Sequence, residues 1–147
     1  MEIVICGAAD VPALATLFVE MEDYYFGHGA VSDEEMRAYL ADKVFSSCSG
    51  VTVVGARKNG AFVGFATFTL MFPAPLCSGQ AFMKELFISE HARGQGVGRS
   101  LIRFIVTSPL NTVVRASTGL RINPTPKPRD FICPWVPLCL RKNSISG

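Results

Sequence analysis

Three glycines at alternate positions between two apolar runs constrain this chain more than any other feature. The segment EHARGQGVGRSL spans residues 90–101. Before it stands QAFMKELFI, which reads as a strand. After it, VGRSLIRFIV has the apolar spacing of a helix. Gly94, Gly96 and Gly98 permit positive φ and let a ligand approach the backbone with no Cβ in the way. The first amides of the following helix lack intrahelical partners, and the helix dipole puts partial positive charge there. Strand, bare backbone and helix start together make a ready site for phosphate. Arg93 and Arg99 can add charge-assisted hydrogen bonds. The plainer alternative is a glycine-rich turn with solvated arginines. The glycine spacing excludes a dinucleotide fingerprint, and Gly98-Arg99-Ser100 has no lysine to complete a Walker loop.

The rest of the chain is organised around this unit. EIVICGA predicts a first strand. Asp10 and Pro12 then open a helix over VPALATLFVEMEDYYF, with Leu14, Leu17, Phe18 and Met21 on its buried face. Ser32 and Glu35 form a capping box for a second helix through about Phe45. The period then changes to that of strands. VTVVGARK and AFVGFATFTLMF flank Asn59-Gly60, the strongest short hairpin signal, and Pro73 and Pro75 are expected to end the second of them. The order is β-α-α-β-β-β-α over about residues 1–106.

Composition bounds the function. With 147 residues, 49% apolar and 18% charged, the chain suits one globular domain. A net charge of +2 with no Lys/Arg-rich run argues against nucleic acid as a partner. Five cysteines without C-x-x-C spacing, and two isolated histidines, argue against a metal site or a disulfide framework and favour a reducing cytoplasm. MEIVICGAAD lacks the long apolar run of a signal peptide, and no run approaches a membrane span. No membrane partner is therefore expected.

At this point the sequence resembles the GNAT superfamily of N-acetyltransferases. R-G-Q-G-V-G fits that family's R/Q-x-x-G-x-G/A motif, KELFIS looks like its fourth strand, and RSLIRFIV like its third helix. The resemblance covers about residues 1–106. It implies an α/β GNAT-like acyl-CoA N-acyltransferase fold, a mixed central sheet flanked by helices, with an acetyl-CoA-binding core at 1–106. It also implies that Arg93, Gly94, Gln95, Gly96, Val97 and Gly98, with Arg99 nearby, hold the pyrophosphate of acetyl-CoA. Backbone groups of Leu86, Phe87 and Ile88 would bind the pantetheine arm, while their side chains pack in the core. The N–H of Phe87 or Ile88 would stabilise the oxyanion.

The implied chemistry is attack of a neutral amine on a thioester, which needs a base, an oxyanion donor and a proton for the leaving thiolate. Glu85, beside the acyl-donor segment, is the candidate base; the alternative is a solvated strand-edge carboxylate. Glu20, Glu22, Asp23, Tyr24 and Tyr25 cluster where the family frames its acceptor, and the last four are the candidate substrate-binding residues; the alternative is a solvated helix end. The expected acceptor is a small-molecule amine, amino-acid-like compound or peptide amine, taken by a cytoplasmic monomer or homodimer without a metal. Two rival readings are a non-catalytic acyl-CoA-binding protein and an incomplete chain that needs a partner to finish its sheet.

The resemblance stops near residue 106. The family continues with a strand and a helix bearing N-x-x-A-x-x-F-Y-x-x-x-G, whose tyrosine commonly protonates the CoA thiolate. Residues 107–147 instead form an atypical segment with six of the nine prolines and no tyrosine. One reading is a family-specific irregular tail; the other is a shift of reading frame near residues 104–107. New codons formed from the third base of one residue and the first two of the next permit the whole motif at its proper spacing. Pro124 into Thr125 allows Asn, Lys127 into Pro128 gives Ala or Thr, and Asp130 into Phe131 gives Phe or Leu. Phe131 into Ile132 gives Tyr or His, and Trp135 into Val136 forces Gly. The expected outcome is a gene whose resequencing, or a natural product whose intact mass, shows the shifted frame. A confirmed 147-residue product with a well-packed C-terminal half and normal turnover would overturn it.

Overall fold

The computed structural model describes residues 1–74 and 78–108. The atypical segment expected over 107–147, and with it the frame argument, lies outside the described residues apart from Thr107 and Ser108. Four strands and three helices follow in chain order: β1 (Glu2–Ile5), α1 (Val11–Phe26), α2 (Asp33–Tyr39), β2 (Val51–Lys58), β3 (Ala61–Ala74), β4 (Ser78–Ile88) and α3 (Val97–Thr107). The β-α-α-β-β-β-α order read from the sequence is the observed one. The strands pair in the order β1-β2-β3-β4. Every pairing among the described residues is antiparallel.

Local chemistry explains the helix starts. Pro12 occupies the first turn of α1, where no N–H is needed. At α2, the Ser32 Oγ accepts from the Glu35 N–H (3.2 Å), and the Ser32 N–H donates to the Glu35 carboxylate (3.0 Å). The Ser32 hydroxyl, which donates to the same carboxylate (2.6 Å), and then the Ser32 N–H hold the Glu35 carboxyl below its ordinary value.

Two boundaries differ from those read in the sequence. The second helix ends as an α-helix at Tyr39 and widens into a π-turn over Leu40–Val44. The wider turn keeps Leu40 fully buried while Val44 and Phe45 pack against the same core. Strand β3 passes Pro73 and ends at Ala74. The pairing with β4 is irregular between Met71 and Ala74, so proline is not required to supply a regular ladder bond there.

The sheet separates two cores. On one face α1 and α2 pack Leu14, Phe18, Met36 and Leu40 against Val53, Phe65 and Phe87. Phe18 stacks on Phe65 with ring centroids 3.9 Å apart. On the other face α3 packs Val97, Leu101 and Ile105 against Val54, Ala56, Val63 and Ala66. Gly64 lets these layers meet closely, because a Cβ there would lie 2.9 Å from the Phe87 carbonyl oxygen.

Candidate active site

The glycine loop has the geometry that its sequence demands. Gly94 and Gly96 adopt φ of +74° and +78°, and open space surrounds the position of a Cβ on either. Gly96 is the N-cap of α3, so the first amides of that helix open at the loop. Gly98 does different work. It is buried, and a Cβ on it would press 3.2 Å from the Ile88 Cδ1, so it sets the approach of α3 to β4.

The basic side chains sit around this loop. The Arg93 Nε donates to the Ile88 carbonyl (3.1 Å), and the guanidinium lies 5.2 Å from the centroid of the Tyr24 ring. The Gln95 Nε2 donates to the His91 carbonyl (2.9 Å), while its Oε1 accepts from Lys58 Nζ (2.7 Å). Lys58 comes from the β2–β3 hairpin and adds a cation that the sequence reading missed. Arg99 is exposed in the first turn of α3.

Register decides which β4 amides are available. The Ser89 N–H donates to the Val63 carbonyl (3.0 Å), and Phe87 lies opposite Phe65 two residues earlier. Ladder bonds alternate from residue to residue, so the Phe87 amide also faces β3. Leu86 and Ile88 turn theirs to the other edge, where the Ile88 carbonyl meets Arg93. Of the two oxyanion donors expected from the sequence, Phe87 is therefore excluded by its pairing and Ile88 has the right aspect. Side chains alternate as well: Phe87 packs with α1, whereas Leu86 and Ile88 pack with α3.

Glu85 points to the α1 and α2 face. It lines a cavity of about 250 Å³ shared with Phe18, Glu22, Met36, Tyr39 and Phe82. Its side chain is half-buried, with Lys84 Nζ 3.7 Å from Oε1. Tyr25 lies close enough for the Glu85 charge to matter. Burial, then Glu85, then Tyr24 push the Tyr25 hydroxyl above its ordinary value.

The expected acceptor residues divide. Glu22 lines the cavity with Glu85. Asp23 is spent locally, accepting from the Gly29 N–H and from His28 Nδ1, both at 2.9 Å. The Gly29 bond, and then His28, hold its carboxyl below the usual range. Tyr24 and Tyr25 form an exposed edge-to-face pair at the end of α1.

A second set of residues was invisible in the sequence as a constellation. Glu20 Oε1 accepts from the Ser89 Oγ (2.7 Å) and from the Glu90 N–H (3.3 Å). Ser89 is 2% exposed, and its Oγ also lies 2.8 Å from His91 Nδ1. A hydroxyl has one proton, and the carboxylate can only accept, so Nδ1 of His91 carries the hydrogen that the Ser89 oxygen accepts. Glu20 thus ties the middle of α1 to the root of the glycine loop across 69 positions of chain.

Cys6 can be set aside as a nucleophile, because burial and then Asp10 push its thiol up to about 12. Among the described residues no group of three His, Cys, Asp or Glu side chains is placed to hold a metal ion. No helix among them is long and apolar enough to cross a membrane.

An antiparallel sheet with helices on both faces, and a bare-backbone loop leading from its last described strand into a helix, define an acyltransferase architecture. The family model described as "Acetyltransferase (GNAT) family" matches residues 14–109. The chain belongs to this family. An integron cassette protein from the mobile metagenome of V. cholerae is 42% identical, with a TM-score of 0.72 over 76% of this chain and 69% of that one. Ribosomal-protein-alanine N-acetyltransferase from Brucella melitensis biovar Abortus 2308 is 20% identical, with a TM-score of 0.59 over 72% and 70%. An aminoglycoside acetyltransferase from an uncultured soil metagenomic sample, solved with sisomicin, is 16% identical, with a TM-score of 0.60 over 78% and 72%. The last two share the fold. No curated protein matches the chain.

The Glu20 network yields a direct expectation. Glu20→Ala removes the charged acceptor shared by the buried Ser89 hydroxyl and the exposed Glu90 amide, at a cost of about 1–3 kcal/mol in denaturant unfolding. It should also weaken acetyl-CoA binding roughly tenfold by loosening the loop, which corresponds to about 1.4 kcal/mol. Glu20→Gln keeps an acceptor and should lose much less of both. Unchanged unfolding and calorimetric affinity in the alanine variant would show that the network does not hold the loop.

Proposed function

We propose that this chain transfers an acetyl group from acetyl-CoA to a primary amine of a small molecule or peptide. Membership of the family implies acyl transfer from an acyl-CoA. The observation that carries the finer reading is the position of Glu85, on the strand that turns the Leu86 and Ile88 amides to its outer edge and in the lining of a cavity on the α1 and α2 face. Residues 93–98 and the start of α3 bind the pyrophosphate, with Arg93, Arg99 and Lys58 supplying positive charge. The outward amide and carbonyl of Leu86 hold the pantetheine arm along the edge of β4, which leaves the Ile88 N–H for the acyl oxygen.

In this mechanism Glu85 takes a proton from the ammonium, directly or through a water, and the freed nitrogen attacks the thioester carbon. A C–N bond forms while the carbonyl electrons move to oxygen, where the Ile88 N–H stabilises them. Collapse breaks the C–S bond and releases the thiolate, which is then protonated to free CoA. The tyrosine that commonly serves the family here has no counterpart after Tyr39 in this sequence. That absence favours a second reading, an acyl-CoA-binding protein with little turnover. Release of CoA in the presence of amines separates the two.

Gly96→Glu places a bulky anion where the pyrophosphate sits, at a φ that costs a non-glycine residue about 1–2 kcal/mol. Acetyl-CoA binding by calorimetry should fall at least about a hundredfold, or about 2.7 kcal/mol. Arg99→Gln should weaken it by a smaller factor without backbone strain. Parent-like affinity in both variants would remove the loop assignment.

Glu85→Gln should lower turnover on the order of a hundredfold or more near neutral pH, with little change in acetyl-CoA affinity. The deficit should shrink as pH rises toward the amine's own pKa, because the free amine then needs no base. A pH-independent turnover equal to that of the parent would return Glu85 to the role of a solvated carboxylate.

A further inference from the structure

We infer that the acceptor is an amine with an uncharged, apolar body about the size of one ring, and that free amino acids are poor substrates. This rests on the acetyltransferase reading above and concerns the same cavity. The cavity's volume of about 250 Å³ suits a compact body. Its walls are largely apolar, with Phe18 and Met36 from the helices, Val44 from the π-turn and Val51 from β2. Phe18 is backed by its stack on Phe65, so that wall is rigid. Tyr39 and Val51 remain 53% and 38% exposed, and an apolar ligand would cover them.

The charges favour an ammonium over a carboxylate. Among the described residues, three charged side chains line the cavity, Glu22, Glu85 and Lys84, and they sum to one negative charge. Neighbouring acids are already engaged. Glu35 lines the adjoining open pocket, but its carboxylate is bonded to Ser32. Asp23 is bonded to Gly29 and His28. A single ammonium placed at Glu85 therefore neutralises the site. A free α-carboxylate would face Glu22 and Glu85. Lys84, the only cation at the cavity among the described residues, already lies 3.7 Å from Glu85. The open pocket shares Glu22, Met36 and Tyr39 with the cavity and gives the ligand's distal end a way in.

The test uses the full chain with 2-phenylethylamine, spermidine and phenylalanine as acceptors, read as CoA release, beside calorimetric binding of each amine to the CoA-loaded protein. The expected result is a kcat/KM for 2-phenylethylamine at least tenfold above either competitor. Val51→Trp, on an exposed strand position that accepts a large side chain, should fill the cavity mouth. It should raise the KM or Kd for 2-phenylethylamine at least tenfold and leave acetyl-CoA affinity unchanged. Turnover that is equal or better with spermidine or phenylalanine would overturn the substrate class while the acetyltransferase reading stands. If acetyl-CoA binds and no amine turns over, the acetyltransferase reading fails and calorimetry decides the cavity. Binding of 2-phenylethylamine that Val51→Trp abolishes supports the assignment, and no binding, or binding indifferent to Val51→Trp, overturns it.

Discussion

The alternation of strand β4 is the constraint on which the rest of this molecule depends. Each residue in a strand commits its side chain to one face and its amide to one edge. Phe87 sends its ring to the α1 core and its amide to β3, so neither is turned to the outer edge. Ile88 sends its side chain under α3 and its peptide groups to the outer edge, where Arg93 meets them. Glu85 shares the Phe87 parity, so its carboxylate emerges among α1 and α2 beside the cavity. A one-residue slip would put the carboxylate under α3 and bury in the ladder the amides proposed to bind the acyl donor. The Phe65–Phe87 and Gly64–Ile88 pairings that stabilise the sheet are the same pairings that aim the chemistry.

The loop that follows β4 inherits that precision through side chains rather than through its own backbone. A segment with glycines at 94, 96 and 98 has little intrinsic reason to hold one conformation. Its root is tied to α1 through Glu20 and Ser89. Its middle is tied to the β2–β3 hairpin through Gln95 and Lys58, and Arg93 is held between Ile88 and Tyr24. The amides at the start of α3 are thus presented by three different elements. Anchoring of this kind lowers the ordering cost that an anionic ligand would otherwise meet on binding.

What could be read from the sequence follows the range of the interactions concerned. Capping by Ser32 and Glu35, the Asn59-Gly60 hairpin and the helical spacing of Leu14, Leu17, Phe18 and Met21 are local signals, and each appears as expected. The widening at Leu40–Val44 was not legible, because it answers to the packing of Leu40 in a core built from distant strands. The same limit applies to the site. The glycine loop and Glu85 carry local motifs, whereas the Glu20–Ser89 contact joins residues 69 positions apart and has no sequence signature. Asp23 shows the converse error. An acid at a helix end looks available for a ligand, yet the turn that follows it, with Gly29 as donor, uses the carboxylate first.

The missing tyrosine bears on rate more than on recognition. In the proposed mechanism phosphate binding, the oxyanion amide, the base and the acceptor cavity all belong to residues before 108, and the two cores of the described residues are packed without any tyrosine beyond Tyr39. The proton for the thiolate is a separate requirement, and positioned acids contribute about 10²–10⁴-fold in such steps. Free thiols ionise near pH 8.5, so a CoA thiolate leaving into neutral water is slow to be assisted but not forbidden. A chain whose C-terminal segment is out of frame should thus bind acetyl-CoA and the amine better than it joins them, provided the outer edge of β4 is kept from associating with other chains. Binding and turnover then report different halves of the sequence. Weak turnover alone condemns neither the loop nor the cavity, whereas weak binding of acetyl-CoA points back to β4 and the glycines that follow it.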